Sequence, residues 1–134
     1  MTYRLTRDDF ERVVDREFAF LRDAGFGRAA VERRDDGFLA GFDRADLGVR
    51  VHCDLDCEDM MTVVSRPLLG RELLLESIHA LNVGDSRYPS GSGGSWRSLE
   101  AFEERLALEA TLLRENLPAA AGNDALYEEA SDRA

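Results

Sequence analysis

The chain has 134 residues, 44% apolar and 33% charged, an ordinary globular mixture that fits a single domain over residues 1–134 able to bury a core without staples. Its 27 acidic residues against 17 basic ones give a formal net charge of −10, which disfavours nucleic acid, because a protein that neutralises phosphates needs a basic surface. All 17 basic residues are arginine, so a lysine Schiff base, a P-loop lysine and a lysine general base are excluded.

The opening residues M-T-Y-R-L-T-R-D-D lack the apolar stretch of a secretion signal, and no apolar run approaches the ~20 residues that span a bilayer. A cytoplasmic protein without a membrane segment is expected. Thr6 with Asp9 three residues on reads as a capping box, and Phe10, Val13, Val14, Phe18 and Leu21 recur at helical spacing, which predicts a first helix over about 7–24. Gly25 and Gly27 end it. Residues 29–33 alternate as a strand, Asp36-Gly37 supplies a hairpin turn, and Phe38, Ala40 and Phe42 alternate beyond it.

After a polar connection at 43–46, Leu47, Val49, Val51, Cys53 and Leu55 share one face of a strand while Arg50, His52 and Asp54 share the other. Residues 56–59 read as the next loop, and 60–66 as a fourth strand, apolar on both faces and stopped by Pro67. From Gly70 the period turns helical through Leu74, Leu75, Ile78 and Leu81, with Gly84 as a stop. Residues 84–95 are rich in Gly and Ser and read as a flexible loop. A last long helix starts near Ser95 or Ser98. Its stripe of Leu99, Phe102, Leu106, Ala110, Leu113 and Leu117, at intervals of 3, 4, 4, 3 and 4, should end at Pro118, leaving 119–134 as a frayed tail. The expected fold class is therefore α+β: an N-terminal helix, a four-stranded antiparallel meander, then two to three C-terminal helices packed on the sheet.

Both cysteines and one of the two histidines fall between Leu47 and Arg66. A zinc site there would draw on His52, Cys53 and Cys57, or in a variant on His52 and Cys57 with an acidic loop residue and His79 from the second helix, since thiolate and imidazole suit that ion. The spacing argues against it, because His52 and Cys53 are adjacent on a strand and point to opposite faces. A disulfide is no better: four residues of extended chain hold Cys53 and Cys57 about 13 Å apart, roughly twice the Cα separation such a bond accepts. Glu76-Ser-Ile-His79 matches half of a di-iron pair but has no second copy. The S-G-S-G-G-S segment precedes a helix but lacks the G-K-[ST] of a phosphate loop. No cofactor and no catalytic residues are expected. The acidic excess suits a basic protein partner instead, and Asp54, Asp56, Glu58 and Asp59, grouped where two strands join, are the candidate partner-binding residues. A metal- or thiol-dependent activity at residues 52–57 is the alternative function, and a homodimer through the last helix or a sheet face is a third.

The order of motifs, T-R-D-D-F…F-A-F-L ending in G-F, then V-R-V-H-C-D, then the Leu-rich helix, resembles small uncharacterised actinobacterial proteins, some of which resemble immunity proteins encoded beside toxins. The resemblance covers about residues 5–118 and is one of layout. It implies an α+β domain without catalytic residues that acts by binding another protein. The Cys53 and Cys57 pair and the Gly-Ser loop have no counterpart in it, so no functional residue is carried over.

Overall fold

A computed structural model describes residues 5–55, 59–83, 98–122 and 125. The chain is α+β, with an N-terminal helix, an antiparallel sheet and a long C-terminal helix. Helix α1 (Arg7–Glu17) starts where Thr6 Oγ1 accepts the Asp9 N–H at 3.2 Å, the cap expected from the sequence. The single helix expected to about residue 24 is broken, because Phe18 and Ala19 tighten into a turn before the one-turn helix α2 (Phe20–Asp23). Gly25, at φ 94°, then ends it, with Gly25 N–H donating to Arg22 O and Phe26 N–H to Leu21 O. That 6→1 and 5→2 pair is a Schellman stop, and its accompanying apolar contact positions, Leu21 and Phe26, are both buried.

Five strands follow among the described residues, β1 (Ala30–Arg33), β2 (Gly37–Asp43), β3 (Gly48–Asp54), β4 (Asp59–Arg66) and β5 (Arg71–Leu74), all antiparallel and side by side in chain order. The expected count of four is corrected to five. Pro67 stops β4 as foreseen, but Pro67–Leu69 form a 3-10 turn and Gly70, left-handed at φ 62°, reverses the chain. Arg71–Leu74 thereby lie against Val63–Arg66 before the helical pattern takes over. Helix α3 (Leu75–Val83) begins only there, and α4 (Leu99–Gly122) follows.

Gly37 is needed for a reason other than turn geometry. A Cβ placed on it would sit 1.8 Å from the Cys53 carbonyl oxygen, so β2 and β3 approach each other more closely there than any side chain permits.

All the helices cover one face of the sheet. Phe10 of α1 stacks on Phe38 of β2 with centroids 5.3 Å apart, Phe18 stacks on Phe42 at 5.7 Å, and Phe10 meets Phe102 of α4 at 6.2 Å. Ala40, Val49, Val51, Cys53, Met60 and Val64 complete that face, and Leu75, Ile78, Leu106 and Leu113 close over it. Each large side chain buried this fully contributes about 1.5–3 kcal/mol.

Helix α4 is tied to the sheet by buried polar contacts as well as by its leucine stripe. Thr62 Oγ1 donates to Glu109 Oε2 at 3.1 Å, and Arg105 Nη2 donates to Glu109 Oε1 at 3.0 Å. Arg66 Nη1 donates to the carbonyls of Ala120 (3.3 Å) and Ala121 (2.7 Å). That buried guanidinium explains why α4 passes the expected stop at Pro118 and runs to Gly122: it satisfies helix-end carbonyls that would otherwise be orphaned. Ala119–Gly122 are thus helical rather than frayed. The Gly-Ser segment and almost all of the expected tail beyond lie outside the described residues.

Candidate functional site

Strand alternation sends every second side chain to the face opposite the helices, and the register lines these up in rungs across the sheet. One rung runs Glu32, Leu39, His52, Met61 and the next Ala30, Gly41, Arg50, Val63, Leu74. A third holds Asp43, Gly48, Ser65 and Glu72. No described element packs over them. Leu39 is only 8% exposed yet stands apart from the core cluster. Met61 is 41% exposed, and Val63 and Leu74 are half-buried.

One glycine, Gly41, shapes the centre of this face. Arg50 lies flat across Gly41, where a Cβ would come within 3.2 Å of its Cδ, Nε and Cζ atoms, and it bonds Asp43 Oδ1 at 2.9 Å. Its Nη1 also donates to the carbonyls of Phe42 and Val49. A guanidinium held by these three partners has little side-chain entropy left to lose. Carboxylates of Glu32, Asp43 and Glu72 border the strip, with Asp36 and Asp54 at the end of the sheet where β2 begins and β3 ends. Arg34 pairs with Glu32 at 3.1 Å.

At that end a depression of about 200 Å³ is lined by Arg34, Asp36, Phe38, His52, Cys53, Asp54, Met60 and Met61. His52 is held below its ordinary pKa, first by partial burial against the sheet and then by the Arg34 charge. Its imidazole is therefore neutral at neutral pH.

The residues singled out in the sequence separate. His52 stands on the uncovered face, whereas His79 is half-buried on α3, its Nδ1 3.1 Å from Asn116 Nδ2 of α4. The two histidines lie on opposite sides of the sheet and cannot share an ion. Cys57, Asp56 and Glu58 lie outside the described residues, Asp59 opens β4 opposite Asp54, and Cys53 is buried in the core. Among the described residues no three His, Cys, Asp or Glu side chains come together as metal ligands. Leu39, Val63, Leu74, Arg34 and Asp36 went unnoticed as site residues in the sequence. The available signal was β4, apolar on both faces, because a strand half of which faces solvent normally alternates with polar residues.

No family model, curated protein or solved structure matches the chain. No described helix is long and apolar enough to cross a membrane.

Proposed function

We propose that this chain is a non-enzymatic protein-binding module that engages a basic partner through the face of its sheet opposite the described helices. The observation that carries the reading is the strip of Leu39, Met61, Val63 and Leu74, placed by register on the face away from the helices and bordered by carboxylates. An apolar centre within a charged rim is the anatomy of a protein interface. The carboxylates of Glu32, Asp36, Asp43, Asp54 and Glu72 outnumber the guanidiniums of Arg34, at the end of the sheet, and Arg50, at the centre of this face, each of which already has a carboxylate partner. A second copy of a chain with net charge −10 would bring like charges together, so the occupant is a different and basic protein. Asp56, Glu58 and Asp59 continue the acidic run from Asp54 in sequence, and a basic toxin, as for an immunity protein, is the first partner class to test. Against the alternative of a thiol-dependent activity at residues 52–57 stands the opposite facing of His52 and Cys53, exposed and buried respectively.

The test is affinity capture at low and high salt with three baits: the wild-type protein, Val63→Arg on the strip, and Glu11→Gln on the exposed side of α1. A basic protein retained by wild type and by Glu11→Gln, lost with Val63→Arg and released by salt, is the expected result, since steering by charge weakens as ions screen it. Identical retention by all three baits, with Val63→Arg folded by circular dichroism, overturns the reading.

A further inference from the structure

The end of the sheet concentrates a type of donor that the chain otherwise nearly lacks. Two cysteines, two histidines and three methionines are all the thiol, imidazole and thioether groups present. Four of these seven, His52, Cys53, Met60 and Met61, line the one depression described above. Register produces the concentration: His52 is the cross-strand partner of Met61, and Cys53 of Met60. Side chains directly opposite one another have Cβ atoms about 4.5–5.5 Å apart, a separation from which an imidazole nitrogen and a thioether sulfur can converge on one small ion. His52 and Met61 share the uncovered face; Cys53 and Met60 turn to the other and are 3% and 4% exposed.

The chemistry of these donors selects among ions. Calcium and magnesium want six or more oxygens, and structural zinc wants four ligands from nitrogen, thiolate and carboxylate. Thioether and imidazole suit a soft cation such as copper(I). Arg34, paired with Glu32 at 3.1 Å, also lines the depression. Asp36 and Asp54 line the same depression and offset that guanidinium.

We propose that the depression binds a soft monovalent cation, copper(I), with the His52 imidazole and the Met61 thioether as ligands. This site does not depend on the docking reading, which concerns the metal-free protein. The test is an anaerobic titration in which the protein competes with a chromophoric copper(I) chelator.

One equivalent withdrawn from the chelator is expected, with no matching uptake of zinc(II). His52→Ala and Met61→Leu should each weaken binding by about tenfold or more, since losing even an outer-shell partner costs roughly 10–100-fold. Both substitutions fall on the uncovered face and leave the circular dichroism unchanged. Cys57→Ser should bind as wild type does. No withdrawal of copper, full binding retained by His52→Ala and Met61→Leu, or loss confined to Cys57→Ser would each overturn the assignment.

Discussion

Replacing Glu109 by leucine is expected to cost about 3 kcal/mol of stability, the lower part of the range for breaking a buried pair from one side. Glu109 is 2% exposed and accepts from both Thr62 and Arg105. Leucine leaves the Thr62 hydroxyl without its acceptor, worth ~1–3 kcal/mol, and strands the Arg105 guanidinium. Arg105 retains 18% side-chain exposure, so partial rehydration keeps the loss from reaching the top of the range. Glu109→Gln preserves shape and an oxygen for Thr62 and should cost about 1–1.5 kcal/mol. The double variant Arg105→Met with Glu109→Leu removes both charges, and it also removes the buried Arg105 Nε, which has no hydrogen-bond partner among the described residues. Its stability should return to within ~1 kcal/mol of wild type. Urea unfolding followed by circular dichroism measures wild type, these three variants and Arg105→Met alone, with the slope against urea checked for constancy. A Glu109→Leu loss below ~1 kcal/mol, or single-variant losses that simply add in the double variant, would refute the account of how α4 is held.

Gly37→Ala should destabilise by about 2–4 kcal/mol, because its Cβ would meet the Cys53 carbonyl oxygen at 1.8 Å and force β2 and β3 apart. Gly70→Ala, left-handed but with nothing within 4 Å of the added carbon, should cost only ~1–2 kcal/mol; equal losses at the two sites would sink the distinction between crowding and backbone preference. For His52 the sign follows from its lowered folded-state value. The unfolded chain takes up the proton more readily, near pH 6.5, so its contribution to stability is intact above that pH and declines as pH falls through it. His52→Asn should therefore flatten the loss of stability between pH 7.5 and pH 5, and urea midpoints that fall in parallel for both proteins would contradict it.

Much of the fold was legible in the residues because the interactions that specify it are local. Thr6 and Ser98 begin helices through their own side-chain oxygens, three residues from the N–H groups they accept. Gly25 stops a helix because it alone among its neighbours adopts a positive φ without strain. The alternation from Val49 to Cys53 marks an inward face, and that face is buried.

The sequence by itself thus determined the element types, most turns, the α+β class and an acidic chain without lysine chemistry. Tertiary structure decided the rest. On β4, Met61 and Val63 are more apolar than Thr62 and Arg66, yet the latter two are buried. A one-residue choice of register sets all four, and the preference comes from Glu109 and the end of α4, 47 and 54 residues away. The fifth strand depends likewise on β4 being already in place, and α4 outruns Pro118 because Arg66 reaches its last carbonyls. The candidate site shares this origin: an apolar strip becomes a surface only once the helices have chosen the opposite face, and periodicity along one strand cannot say which face that is.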